Sequence, residues 1–440
     1  MPAIILGALL LLWPAGLNRY PLVFIDTVSF LAQTIVPRMA WDKPMAYGPF
    51  LHLGHWGVSL WGAALLQALV VSWLLWRVQA AALGRVTVRS HLVLVAGLAV
   101  LTSLPWFTST LMPDVMAGVV VLTLWLLGFA GPGRRWAVGA LASLAIAVHL
   151  SHLVIAAAVL VVVVLVTRRI GPILRVAAPL AVALVFLVVS NGIGHGRYVV
   201  SPYGATFALA RLQADGPAAV LLRDRCPEAG WYLCAFTDRL PMDSDQFLWD
   251  PRSPVAMDAE GRPRSMGTVL IAAEAAEIVA ATIAAYPWDV LRHALENTAE
   301  QLTLFRVGDT LGADYLRVSA RMMVEAGFPR ELPSFDVALQ MRGELAAAAL
   351  PFLWPHVPVV LISLLLALWL SRRREVGALL ACVLIGLLAN AAATGALSKP
   401  HHRYQARIIW LLPLVAGLAL AQRRADAAPV IDKDYGAIRP

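Results

Sequence analysis

Every second connection between the apolar stretches of this chain is rich in arginine, and that alternation constrains the fold more than any other feature. The stretches run over residues 3–17, 55–76, 91–107, 114–130, 136–149, 153–167, 172–190, 350–371, 376–395 and 408–422. A helix of ~20 apolar residues crosses hydrocarbon about 30 Å thick, and most of the stretches are long enough to do so. Arg77, Arg85 and Arg89 follow the second stretch, Arg134 and Arg135 the fourth, Arg168, Arg169 and Arg175 the sixth, Arg372 to Arg374 the eighth, and Arg423 and Arg424 the last. Basic loops are retained in the cytoplasm when such a chain inserts. An even number of crossings must then separate any two of them, so residues 136–167 divide at His149-Leu150-Ser151-His152 into two short spans. Both termini fall on the cytoplasmic side. Met1 to Gly16 has neither the basic start nor the small-residue cleavage site of a secretion signal and is read as the first helix.

A composition that is 60% hydrophobic excludes an ordinary soluble globule. The net charge of +8 conceals a division, with −6 on residues 191–349 and +14 on the remainder. The positive balance therefore belongs to membrane orientation, and nucleic acid is not an expected partner. The expected architecture is an all-α polytopic membrane protein of about ten transmembrane helices. Residues 1–190 form an N-terminal membrane module of seven helices, 191–349 a mainly helical insert on the outward face, 350–424 three C-terminal membrane helices, and 425–440 a cytoplasmic tail. Within the insert, Cys226 and Cys234 bound the short sequence CPEAGWYLC. An oxidising compartment favours a disulfide closing that loop, against two unpaired thiols. Val269 to Ala285 and Leu291 to Phe305 are apolar on one face and are expected to lie along the bilayer or roof the membrane module. Residues 224–254, rich in Pro, Asp and Ser, read as irregular loop.

Only seven acidic residues lie outside the insert, and Glu375, Asp426, Asp432 and Asp434 fall on the cytoplasmic side or its tail. Asp26, Asp42 and Asp114 remain for the outward face. Asp26 sits among apolar neighbours just beyond the first stretch, where an unpaired carboxylate costs several kcal/mol, roughly, so it is expected to be paired, protonated or functional. Asp114 follows Pro113 at the entrance of the fourth stretch, a setting that also suits an ordinary helix start. Asp42 beside Lys43 reads as a local ion pair.

Positive charge on the outward face runs against the orientation bias. Outside the insert it consists of Arg19, Arg38, Lys43, Lys399, Arg403 and Arg407. Three of these crowd with His401, His402 and Tyr404 just before the last stretch, where a lipid phosphate would suit them. Snorkelling towards anionic lipid is the plainer account. His149 and His152 share a helix face, and satisfying a short hairpin is a simpler role for them than binding a metal or phosphate.

An Asp soon after the first helix, a second acid at the next outward loop, many helices with a long outer insert, and Arg403-Tyr404 before the final helix together resemble the GT-C superfamily. These are integral membrane glycosyltransferases that use a polyprenyl-phosphate-linked sugar. The resemblance covers the membrane module as a whole. It implies that Asp26 is the first-loop catalytic aspartate, Asp114 the second-loop acid, and Arg403 the arginine that meets the lipid phosphate. The insert is similar in position to the domain of protein O-mannosyltransferases. The chain departs from the pattern in having no second acid beside Asp26 and no soluble domain after the last span.

The implied reaction moves a sugar from a polyprenyl-phosphate donor to an acceptor hydroxyl with inversion. Asp26, its pKa raised by partial desolvation at the membrane edge, takes the acceptor proton. Asp114 orients the acceptor or holds a cation, and Arg403, helped by Lys399 and His402, neutralises the leaving phosphate. Arg19, His152 and Tyr404 complete the expected substrate site. No nucleotide is expected, because no Gly-rich phosphate loop occurs in a strand-turn-helix setting. No metal ligands are assigned, and the cofactor stays unknown, with a divalent cation left open. The expected partners are the donor, a glycan, lipid or protein acceptor, and membrane lipids. A transporter, or a non-enzymatic assembly protein of envelope polysaccharide synthesis, is the alternative; within enzymes, a ligase or polymerase acting on a lipid-pyrophosphate glycan is another. Arg outnumbers Lys 32 to 3, a bias common in GC-rich bacterial genomes, which points to a bacterial inner membrane with the insert in the periplasm.

Overall fold

The computed structural model describes residues 1–130, 135–371 and 374–427. Arg134, Arg372, Arg373 and the tail that carries Asp432 and Asp434 lie outside the described residues, as does the side chain of Asp426. Helix makes up 75% of the structure, and no strand occurs among the described residues. Five helices are long and apolar enough to cross a membrane: Leu60–Leu83, Ile170–His195, Leu345–Leu370, Arg374–Ala396 and His402–Arg424. Five shorter apolar helices accompany them, Pro2–Leu11, Val88–Leu101, Pro113–Phe129, Arg135–Ala147 and Ser151–Thr167.

Local chemistry sets where the apolar stretches break. The first stretch is interrupted at Leu12 because Pro14, in the opening turn of Trp13–Asn18, cannot continue the hydrogen-bond ladder of Pro2–Leu11. The third stops at Leu101, where Thr102 turns extended (φ −134°, ψ 174°) and its hydroxyl bonds back to Leu98 O at 2.6 Å. Pro105 then opens the separate turn Leu104–Ser109. Between residues 136 and 167 helix Arg135–Ala147 ends before His149, and Ser151–Thr167 begins after it.

Helix Met116–Phe129 occupies the centre, with every residue from Met116 to Gly128 buried. A helix apolar on all sides is stable only when surrounded. Gly118 permits the closest approach, since a Cβ there would meet the Trp410 ring at 2.5 Å. The central helix also marks two poles. At one end stands Asp114; at the other, Arg175 Nε donates to Leu127 O at 2.9 Å and Trp125 Nε1 donates to Glu375 O at 3.2 Å. The two are about 20 Å apart along the helix.

Residues 204–285 have a core of their own, built around Leu209, Leu222, Phe236, Phe247 and Ile278. A disulfide joins Cys226 to Cys234 beside it. Of the two expected placements, along the bilayer or as a roof on the membrane module, the roof is corrected for the first helix: Ala272–Ala285 turns Ala275, Ile278 and Thr282 inward and packs on Gly204–Asp215 within the insert. Helix Pro287–Thr303 does lie against Arg374–Ala396, with Gly395 touching the backbone of Asn297. Residues 224–254 contain short helical turns, Tyr232–Arg239 and Ser244–Trp249, instead of loop throughout. Two clamps, one buried at Gln340 and one half-buried at Glu331, tie the following segment to the first loop. Gln340 Oε1 accepts from Val23 N–H at 3.1 Å while its Nε2 donates to Val23 O at 2.7 Å. Glu331 accepts from Tyr20 OH at 2.7 Å and Ser59 Oγ at 2.5 Å.

Candidate functional site

Three chain segments build the site, and backbone pairing brings the first two together. After helix Trp13–Asn18, Arg19 adopts a left-handed conformation (φ 66°) and turns the chain. Leu22 N–H then donates to Ser109 O at 3.0 Å, and Leu111 N–H donates to Leu22 O at 2.9 Å. Thr27 locks the register by donating its hydroxyl to Leu111 O at 3.0 Å. The stretches carrying Asp26 and Asp114 are thereby held side by side. The third segment is the start of His402–Ile409. Gln301 brackets His401 through both its N–H (2.9 Å) and its carbonyl (2.8 Å), and Asp309 Oδ2 accepts from Arg403 N–H at 2.7 Å. These groups satisfy donors that a helix start leaves open. Arg403 and Arg407, one turn apart, share a helix face.

The result is a chain of alternating charge. Lys43 Nζ lies 2.9 Å from Asp42 and 3.2 Å from Asp26; Asp26 faces Arg403 at 3.6 Å; Asp114 faces Arg403 at 3.9 Å and Arg407 at 3.4 Å. Three carboxylates thus meet three cations. The two guanidinium groups differ in how they are held. Arg407 is 0% exposed and its Nη2 donates to Ser151 Oγ at 2.8 Å and Asn390 Oδ1 at 2.9 Å, leaving only Nε without a partner. Asn390 is itself fixed through Tyr404 O and Gln405 Oε1. Arg403 lies between the Phe24 ring (4.5 Å) and the Tyr404 ring (4.9 Å), and its shielded Nη1 makes no hydrogen bond. Its carboxylate contacts exceed the 2.7–2.9 Å, roughly, of a charge-assisted hydrogen bond, so it is held more loosely than Arg407.

Asp26, Asp114, Arg403 and Tyr404 therefore converge, while four of the other sequence-predicted residues point elsewhere. Lys399 pairs with Asp243 (2.7 Å) and Asp245 (3.4 Å) of the insert, and His402 Nδ1 accepts from Arg306 N–H at 3.0 Å. Neither assists Arg403, because the helix begins at His402 and the residues before it face the insert. Arg19 is exposed and pairs with neither Asp26 nor Asp114. His152 is buried with its Nδ1 bonded to Ala145 O at 2.6 Å, closing the turn between two helices. His149, 5.2 Å from it ring to ring, has Nδ1 2.8 Å from the hydroxyl of Ser151, the residue that meets Arg407. Asp26 and Asp114 both stand at helix starts, yet neither side chain caps one.

The expected upward shift of Asp26 is also corrected. Burial does push its carboxyl up, but Lys43 and Arg403 outweigh that and hold it below the usual carboxylate range. The same pairings raise Lys43. Lys43 and Arg407 were not singled out for the site from the sequence. The available signals were the i, i+4 spacing of Arg407 from Arg403 and the rarity of Lys in a chain that uses Arg almost throughout. The donor set does not suit a divalent cation at Asp114, since the carboxylate already faces two guanidinium groups, and no group of three His, Cys, Asp or Glu side chains placed to hold a metal occurs among the described residues.

The fold and site define an all-helical protein with five helices long and apolar enough to cross a membrane and an ion-paired cluster at one pole. No protein-family model, curated protein or solved structure matches the chain.

Proposed function

We propose that the protein is an integral membrane glycosyltransferase, of the kind found in the GT-C superfamily, acting at the periplasmic face of a bacterial inner membrane. It moves a sugar from a polyprenyl-phosphate donor to an acceptor hydroxyl. The observation that carries this reading is the meeting of Asp26, from the loop after the first apolar helices, with Arg403, at the start of the last long helix, at 3.6 Å and beside Asp114. In the corresponding topology the five shorter apolar helices cross together with the five long ones, giving ten crossings, and the arginine pole faces the cytoplasm.

The chemistry follows from the loose seating of Arg403. A donor phosphate engages its free N–H groups, adding negative charge beside Asp26 and drawing the guanidinium from it. Both changes raise the proton affinity of Asp26 as the acceptor hydroxyl must be deprotonated. The acceptor oxygen bonds to the anomeric carbon, the carbon–oxygen bond to phosphate breaks, and its electron pair leaves on the polyprenyl phosphate, which Arg403 neutralises. The proton ends on Asp26, and one displacement inverts the sugar carbon. Transfer from a radiolabelled polyprenyl-phosphate sugar in proteoliposomes tests the proposal. Asp26→Asn is expected to lose about 100-fold or more in turnover while still unfolding cooperatively, at a somewhat lower midpoint because its ion pairs are lost; undiminished turnover eliminates the base, and transmembrane flux without product favours a transporter.

A further inference from the structure

Between helices Arg374–Ala396 and His402–Ile409 the chain has no regular structure, yet it delivers Arg403 to the charged pole. The insert holds it there. Arg211 Nη1 reaches Ser398 O at 3.4 Å, Lys399 pairs with Asp243 and Asp245, and His401 Nε2 lies 3.1 Å from Asp245 Oδ2. Gln301 brackets the His401 backbone, and Arg306 N–H donates to His402 Nδ1 at 3.0 Å. Every residue from 398 to 403 except Pro400 is therefore bonded to the insert. The last of these bonds falls on Arg403 itself, whose N–H donates to Asp309 Oδ2 at 2.7 Å.

Asp309 is itself fixed by its neighbours. Gly308 (φ 149°) turns the chain, Leu311 N–H donates to Gly308 O at 3.1 Å, and the buried Gln340 donates its Nε2 to Thr310 O at 3.2 Å. The same amide grips both backbone groups of Val23, next to Phe24, and the Phe24 ring lies 4.5 Å from the Arg403 guanidinium. One buried side chain thus registers the carboxylate on the Arg403 backbone and the ring beside its side-chain end. A purely structural attachment of the insert has no need to reach both ends of one arginine. We infer that Asp309 is a positioning residue for the arginine proposed to meet the donor phosphate, acting on the guanidinium through the main chain. Its hydrogen bond fixes the point from which a long, flexible side chain departs, and a small displacement there is magnified at the guanidinium. The phosphate role rests on the transfer reaction proposed above, whereas the hold on Arg403 does not.

Asp309→Ala and Asp309→Asn remove the same charge, but only asparagine keeps an oxygen for the Arg403 N–H. Asp309 is exposed, so neither change empties a core. Hydrogen exchange at the Arg403 amide, read by mass spectrometry on full-length protein in nanodiscs, is expected to quicken in Asp309→Ala and to stay near the parent in Asp309→Asn. Farnesyl phosphate, a short polyprenyl phosphate, is expected to bind Asp309→Ala about fivefold more weakly, the worth of one hydrogen bond, and Asp309→Asn no more weakly than the parent. In an Arg403→Ala background, adding Asp309→Ala leaves that binding where it was, since the group it positions is gone. The inference is overturned by exchange that Asp309→Ala leaves unchanged, by Ala and Asn variants that bind farnesyl phosphate equally, or by losses that simply add in the double variant. Parent protein that binds no farnesyl phosphate sinks the donor reading, while faster exchange in Asp309→Ala alone still upholds the hold on Arg403.

Discussion

Two arginines one helical turn apart divide the work at the charged pole by how firmly each is held. Arg403, whose shielded Nη1 makes no hydrogen bond and whose contacts to Asp26 and Asp114 are long, is the one proposed to meet the donor phosphate. Arg403→Ala is therefore expected to raise the donor KM about tenfold or more while thermal unfolding stays near that of the parent. Arg407 fills the buried space between Asp114, Ser151 and Asn390. Its removal strands the nearly buried Asp114 without a hydrogen-bonded cation, so Arg407→Ala destabilises by roughly 3–5 kcal/mol, read as a lowered unfolding midpoint in detergent. Lys43 acts on Asp26 through charge. Asp26 has a depressed pKa, so its ionised form persists as pH falls, and whatever stability its pairing confers is present above the unfolded value of about 3.9 and is lost as pH drops through the folded one. Lys43→Met removes one of the two cations responsible. The acid limb of the kcat/KM profile then moves to higher pH, whereas an unmoved limb shows that Asp26 does not set it.

At the scale of elements, hydropathy made the helices legible and left the side-chain partners obscure. The break near His149 followed from counting crossings, and helices Arg135–Ala147 and Ser151–Thr167 lie on either side of it. Proximity in sequence misled where a helix start intervenes. Lys399 and His402 are neighbours of Arg403 along the chain, yet the turn into His402–Ile409 directs them to Asp245 and Arg306. Lys43 read as a local partner of Asp42 because the fold that brings Asp26 alongside depends on how helix Thr27–Ile35 packs on Tyr47–His55, with Gln33 bonded to Pro44 O and Gly48 N–H. The sign of the Asp26 shift depends on the same packing, which supplies Lys43, and on Arg403 from a distant segment. Within the insert, the disulfide closes a loop of eight residues' separation next to the small core around Phe236. Chain-entropy arguments give such a loop about 2.5 kcal/mol. Cys226→Ser with Cys234→Ser is expected to expose residues 204–285 to limited proteolysis while the apolar helices stay protected.

Across the whole molecule, four helices connect the site with an arginine-bearing end. Met116–Phe129 runs from Asp114 to the carbonyl that Arg175 holds, Ser151–Thr167 from the partner of Arg407 towards Arg168, and Arg374–Ala396 from Glu375 to Asn390. The last long helix begins at His402, beside Arg403, and reaches Arg423, which lies over the Trp369 ring at 4.6 Å. Four helices of different sequence position thus have one end at the site and the other among arginines. This is the geometry that positive-inside insertion of an even number of crossings produces. Single cysteines report the orientation against a quiet background, since Cys382 is buried and Cys226 and Cys234 are bonded. Glu260→Cys, on an exposed turn of the insert, is expected to react with a membrane-impermeant maleimide in intact spheroplasts. Arg85→Cys, in the exposed turn after Leu60–Leu83, is expected to react only once the membrane is opened. Labelling of both positions from the same side breaks the ten-crossing topology, because an odd number of membrane passages must separate them, and it removes the compartment in which Asp26 and Arg403 are proposed to work.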